Sequence, residues 1–299
     1  MRDSLRAILR AQRLRRALRT RLQRAVQEVV EPPHAEQMRE LNNLRREVSE
    51  LRHQLAHGLG DLRGRLVEDM SELVRSTAER VIDHTRAFEI RSRRDILYAG
   101  EAQAARESAE FARRHLAGAR QFGHPHATLE YALSLAPVGG MALEFGVYTG
   151  TTLKIIAAAR QGRWVYRFDS FEGLPKHWRA GFPAGTFAAE TVPDIPGAEL
   201  VVGWFDEVLP GFMETHPGPV DFLHIDADLY SSAATVLNLV GPRLREGSVV
   251  VFDEFFNYPG WQEHEYRAWT EYVERARIAF QYEAFTFDNE QVVVTLTSV

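Results

Sequence analysis

The chain has 299 residues, of which 45% are hydrophobic and 26% are charged, and it contains no cysteine. This is the composition of a globular protein, and its length corresponds to about two domains. The absence of cysteine excludes disulfides, thiolate metal sites and cysteine nucleophiles, and no run approaches the ~18 apolar residues of a transmembrane helix.

The net charge of −5 is unevenly distributed along the chain. Residues 1–30 contain nine arginines and two acidic residues, a net +7, so the remaining residues carry −12. An acidic body argues against a nucleic-acid-binding catalytic domain. Because no short apolar block with a small-residue cleavage site follows the basic start, we expect no secretory signal and a cytoplasmic protein.

The first predicted element is a basic amphipathic helix over about residues 1–30. Leu14, Leu18, Leu22 and Val26 recur every four residues, with arginines between them. Such a helix suits weak binding to an anionic membrane surface or to an acidic partner. The alternative is a solvated, arginine-rich face beside a packing stripe.

A second helix, with the pattern of a coiled coil, is predicted after the break at Pro32-Pro33. Its apolar residues alternate in steps of three and four, which is a heptad seam, and two insertions of four residues interrupt the seam without ending it. The seam residues are Leu41, Leu44, Val48, Leu51, Leu55, Leu59, Leu62, Leu66, Met70 and Leu73. We expect a homo-oligomer formed through this helix; packing of the helix on its own domain is the alternative. Residues 1–95 are thus assigned to association, and 96–299 to a second domain.

After a helical stretch that ends near residue 119, short apolar runs alternate with helical segments. Such alternation predicts an α/β fold with a mostly parallel sheet and helices on both faces. Only four residues separate the last two runs, so they form a hairpin and one of them is antiparallel. The seven predicted strands are Met141–Val147, Trp164–Phe168, Leu200–Val202, Phe222–Ile225, Val249–Phe252, Tyr282–Phe287 and Val292–Leu296.

In an open α/β sheet, ligands bind at the carboxyl ends of the parallel strands. The first strand is followed by the spacing E-x-G-x-x-x-G, with Glu144, Gly146 and Gly150. Two glycines let the backbone turn tightly against a ligand, and a carboxylate at the first position suits an ammonium group better than a phosphate. A turn that simply precedes a helix is the alternative.

Polar and aromatic residues also follow the second and third strands. Asp169 lies 19 residues after Gly150, where an acidic side chain commonly binds ribose hydroxyls; a helix cap is the alternative. Trp204 and Phe205, just before Asp206, suit the faces of an adenine ring, although buried core aromatics would give the same pattern.

Four carboxylates follow the fourth and fifth strands, on Asp226, Asp228, Asp253 and Glu254. Repulsion among them is costly in an apolar crevice unless a cation or protons offset it. Oxygen ligands without cysteine suit Mg²⁺ or a similar hard ion, whereas solvated turn carboxylates would need no ion. Downstream, His264 is a candidate general base, with an ordinary surface histidine as the alternative.

Five segments stand in order at these strand ends: LEFGVYTGTT, FDSFEGLP, VVGWFDEVLP, LHIDADLYSS and FDEFFNYPGWQEHE. Together they resemble class I S-adenosylmethionine-dependent methyltransferases, over about residues 124–297. More narrowly, they are similar to the sugar O-methyltransferases of the macrocin and mycinamicin type. The resemblance implies a Rossmann-like, seven-stranded sheet with an antiparallel last strand, S-adenosylmethionine as cofactor, and a divalent metal such as Mg²⁺.

The resemblance also implies roles for individual residues. Cofactor contacts would come from Glu144, Gly146, Tyr148, Thr149, Gly150, Thr151, Asp169, Ser170, Trp204, Phe205, Asp206 and Asp226. The metal ligands would be Asp226, Asp253 and Glu254. Catechol-type enzymes of this class have a lysine three residues after the first metal ligand, where this chain has Leu229. The base is therefore Asp228, His264 or a metal-bound group.

The function that this resemblance implies is O-methylation of a hydroxyl on a sugar or another small, natural-product-like acceptor. A glycine- and proline-rich insert between Pro175 and Glu199 is predicted to cover the acceptor, because functional loops gather at this face of the sheet. A tailoring hydroxylase on the same scaffold and a coiled-coil interaction protein with a vestigial catalytic domain are the alternatives.

Overall fold

The computed structural model describes residues 15–21 and 34–299, and it divides the chain into two compact units between Arg93 and Arg94. In the first unit, residues 15–21 are helical and helix α1 spans His34–Arg94. Most of the basic helix predicted over residues 1–30 lies outside the described residues. None of the helices in the described ranges is long and apolar enough to cross a bilayer.

Helix α1 runs without a break through Gly58 and Gly60, where the seam has its first insertion. Leu44, Val48, Leu51 and Leu55 are partly shielded, whereas most of the later seam residues are open to solvent. Met70 is 58% exposed and Leu73 is 63% exposed. An apolar stripe this exposed is suited to packing against a partner helix. Self-association through α1 stays a prediction.

The second unit begins with helix α2 (Ile96–His115), which Asp95 caps by accepting hydrogen bonds from the N–H groups of Leu97 and Tyr98. Aspartate suits this position because its carboxylate satisfies the free amides of a first helical turn. The other helices are α3 (Pro125–Leu135), α4 (Thr151–Ala159), α5 (Phe205–Thr215), α6 (Tyr230–Val240) and α7 (Glu265–Ala276), with 3-10 turns at Gly241–Arg243 and Trp261–Glu263. The strands are β1 (Arg120–Phe122), β2 (Met141–Phe145), β3 (Val165–Asp169), β4 (Glu199–Val202), β5 (Val220–Ile225), β6 (Leu244–Phe252), β7 (Ala279–Thr286) and β8 (Val292–Ser298).

Within residues 94–299, all of which are described, these strands form one sheet in the order β1-β7-β8-β6-β5-β2-β3-β4. Strand β8 is antiparallel to β6 and β7, and the other neighbours are parallel. The predicted mostly parallel sheet with an antiparallel last strand is therefore confirmed. The predicted number of strands is wrong by one, because β1 is too short to show an apolar alternation and forms only by pairing with the distant strand β7.

Every side chain of β2 and β5 is buried, which explains why both strands are rich in apolar residues. Their polar members, Glu144, Asp221 and His224, are buried as well. Alternate residues enter two hydrophobic clusters, one on each face of the sheet: Phe145 and Ile225 lie in one, and Ala142 and Phe222 in the other. From β2 the chain adds β3 and β4 on one side, and it then adds β5 and β6 on the other side. In doubly wound sheets, a ligand crevice opens at this change of direction.

Candidate active site

A cavity of about 750 Å³ opens at the carboxyl ends of β2, β3, β5 and β6. Its volume lies within the range of roughly 300–1,000 Å³ that is typical of small-molecule sites. Its wall contains residues from the glycine loop, from both acidic loops and from the insert after β3. The strand ends that the sequence analysis singled out therefore meet around one space.

Gly146 allows the ends of β2 and β5 to approach each other closely. Its φ is +90°, and a Cβ added there would lie 1.9 Å from the carbonyl oxygen of Asp226. The N–H of Asp226 donates to the carbonyl of Phe145 at 2.9 Å, and this hydrogen bond holds the ends of the two strands together. Gly146 and Tyr148 line the cavity.

Three further residues of the predicted cofactor loop lie at the start of α4. Gly150 has a φ of +72° and caps this helix. The hydroxyls of Thr149 and Thr151 are 3.1 Å apart and hydrogen-bonded to each other. In the described structure, these three residues are not among those that line the cavity.

Asp169 ties the glycine loop to the end of β3. Its Oδ2 accepts hydrogen bonds from the N–H groups of Val147 at 2.8 Å and Tyr148 at 3.0 Å, and its Oδ1 accepts from Phe171 at 2.8 Å. Asp169 also lines the cavity beside Ser170. A carboxylate has about four lone-pair sites, so these three bonds leave capacity for a ligand hydroxyl.

The residues predicted to flank an adenine ring lie together in the cavity wall. Trp204 caps α5, and Phe205 and Asp206 begin that helix. The ring of Phe205 packs edge-on against Phe145, with 5.2 Å between the ring centres. This packing keeps one aromatic face in a defined position at the end of the third parallel strand.

Glu144 lies beneath the cavity, in a row of buried polar side chains. It is fully buried, and its Oε1 lies 3.0 Å from Nδ1 of His224. The Nε2 of the same histidine is 3.5 Å from Oδ1 of Asp253. Burial opposes protonation of His224, but hydrogen bonds to Asp253 and Glu144 outweigh it and raise the pKa of His224. The row thus connects β2, β5 and the loop after β6.

The carboxylates of Asp226, Asp253 and Glu254 form a compact group, since one oxygen from each lies within 4.8 Å of the others. Burial, followed by repulsion from Asp253 and Asp228, raises the pKa of Asp226. Burial, followed by repulsion from Asp226, raises the pKa of Glu254 as well. The Oε2 of Glu254 is buried and has no hydrogen-bond partner among the described residues. Crowded oxygen donors with an unpaired atom fit a hard divalent cation.

The two predicted bases occupy different places. Asp228 lines the cavity, is 7% exposed and has a φ of +58°. Burial raises the pKa of Asp228 to about 7, although Arg179 opposes the rise. His264 is half-buried and lies outside the cavity wall in the described structure. Burial lowers the pKa of His264, so this imidazole is neutral at neutral pH.

The insert after β3, which the sequence analysis predicted to cover the acceptor, supplies Trp178 and Arg179 to the cavity wall, two residues that the analysis did not name. Arg179 packs over the ring of Trp178 at 4.0 Å and over Tyr258 at 4.5 Å, measured to the ring centres. Its Nη1 lies 2.9 Å from Oε1 of Glu290, in the hairpin between β7 and β8. Cation–π contacts and an ion pair therefore join the insert to the terminal hairpin.

Residues 143–255 match the family described as a methyltransferase domain. Among solved structures, the chain is similar to the calicheamicin methyltransferase CalS11, with 25% identity over 57% of this chain and 76% of that chain and a TM-score of 0.45. It is also similar to the O-methyltransferase NovP, with 21% identity over 57% and 79% of the two chains and a TM-score of 0.43. It is also similar to an O-methyltransferase from Bacillus cereus in complex with SAH, with 14% identity over 70% of this chain and 96% of that chain and a TM-score of 0.40. No curated protein matches the sequence.

Proposed function

We propose that this chain, whose residues 143–255 carry a methyltransferase domain, moves a methyl group from S-adenosylmethionine to a hydroxyl of a sugar or another small acceptor. In this reaction the acceptor oxygen loses its proton and forms a bond to the methyl carbon. The bond from that carbon to sulfur breaks, and S-adenosylhomocysteine leaves. The observation that carries the proposal is that the glycine loop and the carboxylate group line the same cavity.

The residues of the wall divide into two sets with different tasks. The glycine loop, Asp169 and Trp204 to Asp206 would hold the cofactor, whose sulfonium and ammonium charges suit an acidic wall. Asp228 would accept the acceptor proton, which is worth on the order of 10²–10⁴-fold in rate. Alignment of the two reactants by the wall would supply roughly 7–11 kcal/mol of the barrier and is the larger contribution.

Asp226, Asp253 and Glu254 are the residues that would hold a divalent cation such as Mg²⁺. A bound cation would stabilise the negative charge of the deprotonated acceptor oxygen. The insert that contains Trp178 and Arg179 would cover the acceptor, because it lines the same cavity as these carboxylates.

Calorimetric titration of S-adenosylhomocysteine into the full chain tests the proposal. We expect binding both with Mg²⁺ and with EDTA, because Gly146 and Asp169 line the cavity without belonging to the carboxylate group. Binding that requires Mg²⁺ would instead mean that the carboxylates organise the whole crevice. An absence of binding in both conditions would contradict a methyltransferase cavity and favour the interaction-protein alternative.

The assignment of the base predicts a difference between two conservative variants. Asp228→Asn should lower kcat by roughly 10²–10⁴-fold and leave the affinity for S-adenosylhomocysteine unchanged, because the amide cannot accept the acceptor proton. His264→Gln should change kcat by less than about tenfold, because His264 is not a wall residue in the described structure. Steady-state kinetics with an acceptor that the parent chain methylates measures both. The reverse order of effects would assign the base to His264.

We further propose that the chain self-associates through the seam of α1. Substitution of both Leu51 and Leu55 by lysine should weaken self-association by at least about 100-fold, because each leucine buried between helices contributes roughly 1.5–3 kcal/mol. The matched control replaces Ser49 and His53, which are exposed and off the seam, by lysine. Light scattering over a concentration series measures the mass. A parent chain that stays monomeric throughout would refute the proposed oligomer.

A further inference from the structure

We propose that Glu265 is a positioning residue that sets the spacing of the two loops that carry the metal-ligating carboxylates. The inference rests on the proposed metal site and concerns a residue outside the ligand set. Glu265 is the first residue of α7 and is fully buried. A buried carboxylate is costly unless its oxygens are hydrogen-bonded, so its partners reveal what it does.

The two oxygens of Glu265 bind one amide on each acidic loop. Its Oε1 accepts the N–H of Ala227 at 3.1 Å, and its Oε2 accepts the N–H of Glu254 at 3.1 Å. Ala227 lies between Asp226 and Asp228, and Glu254 is itself a proposed ligand. One side chain therefore joins the loop after β5 to the loop after β6 by a rigid carboxylate.

Helix α7, which carries Glu265, is itself anchored in the hydrophobic core. Two further residues of α7, Ala268 and Trp269, are buried in the cluster that also contains Phe252 of β6. The ring of Trp269 lies 5.3 Å from that of Phe252, measured between centres. The helix is thus held against the sheet, and Glu265 transmits its position to both loops.

The chemistry of the connection requires two acceptors. Glutamine has the same shape, but it offers one carbonyl oxygen and one NH₂ group. In Glu265→Gln, one loop amide would face a second donor, lose its hydrogen bond and move away from it. The distance between Asp226 and Glu254 would then no longer be defined, although all three ligands would still be present.

The test is a titration of the full chain with Mn²⁺ alone, in which free Mn²⁺ is followed by electron paramagnetic resonance. Glu265→Gln should weaken Mn²⁺ binding by about 10–100-fold, as is usual when a residue that orients metal ligands is changed. Its affinity for S-adenosylhomocysteine, measured by calorimetry, should stay within about twofold, because Glu265 is not among the residues that line the cavity in the described structure. The matched control is Glu263→Gln, whose side chain is 70% exposed and pairs with Arg267 on the surface; it should change neither affinity.

Equal Mn²⁺ affinity in Glu265→Gln and the parent would overturn the inference. A parallel loss of Mn²⁺ and S-adenosylhomocysteine binding would also overturn it, since the residue would then support the fold in general. A parent chain that binds S-adenosylhomocysteine but no Mn²⁺ would refute the proposed metal site instead.

A second variant and a measurement on the parent cover the case in which Glu265→Gln does not fold. Glu265→Asp keeps the carboxyl group but is too short to reach both amides, and the same selective loss of Mn²⁺ binding is expected. In the parent, amide hydrogen exchange should show protection at both Ala227 and Glu254. Exchange of either amide as fast as that of an exposed loop would overturn the inference.

Discussion

Asp226→Asn is expected to lower turnover by about 10³-fold or more while S-adenosylhomocysteine still binds. The substitution keeps the size of the side chain but removes one charged oxygen donor from the group formed with Asp253 and Glu254. Stabilisation of a developing alkoxide by a bound cation is worth several kcal/mol, and each 1.4 kcal/mol is about tenfold in rate. The cofactor should keep its contacts with the glycine loop, so kcat and cofactor affinity should separate.

A control variant removes the same charge from another part of the wall. Glu207 lies in the first turn of α5 and also lines the cavity, but it is not part of the carboxylate group. Glu207→Gln should lower kcat by less than about threefold, since an exposed charge contributes little. Kinetics at saturating cofactor, with calorimetry of S-adenosylhomocysteine, measures both variants. Turnover by Asp226→Asn at the rate of the parent would exclude the metal role of Asp226.

Gly146→Ala is expected to destabilise the second unit by about 3 kcal/mol or more and to abolish binding of S-adenosylhomocysteine. The new methyl group would lie 1.9 Å from the carbonyl oxygen of Asp226, which is backbone and held by the hydrogen bond from Asp226 to Phe145. A φ of +90° adds strain for any residue with a Cβ. Overpacking costs roughly 1–3 kcal/mol and an unfavourable φ a similar amount, which corresponds to a Tm lower by about 6–12 °C.

Gly211→Ala is the matched control for this change. Gly211 lies inside α5, and an added Cβ meets no atom within 4 Å. Alanine should therefore raise stability there by about 0.5–1 kcal/mol, because glycine disfavours a helix interior. Thermal unfolding followed by circular dichroism measures the two variants side by side. A Gly146→Ala protein as stable as the parent would mean that the loops of β2 and β5 are not held together as the structure shows.

Most of the sheet follows from local patterns in the sequence. Strands β2 and β5 are buried on both faces, so their residues form apolar runs that can be recognised without knowledge of their neighbours. The hairpin of β7 and β8 is equally local, because a few residues connect the two strands. Strand β1 is different: three residues carry no pattern of their own, and they form a strand only by pairing with β7.

The candidate site shows the same division between local and long-range information. Asp169, Asp226 and Asp253 could be predicted as site residues from the sequence, because ligands bind at the carboxyl ends of parallel strands. The groups that hydrogen-bond to these carboxylates were not predictable in this way. Two of the amides on Asp169, those of Val147 and Tyr148, and the histidine beside Asp253 come from segments that are remote in the sequence.

The sequence by itself therefore determined the class of fold, the main strands along the chain and the acidic and glycine-rich residues at their ends, because these depend on local periodicity and spacing. Only the tertiary structure decided that Glu144 is paired with His224 beneath the cavity, that Arg179 joins the insert to the terminal hairpin, and that Glu265 connects two loops. The physical reason is that a hydrogen bond or an ion pair needs two groups within about 3–4 Å. In each of these pairs the two groups come from different elements, and the folding of the sheet brings them together.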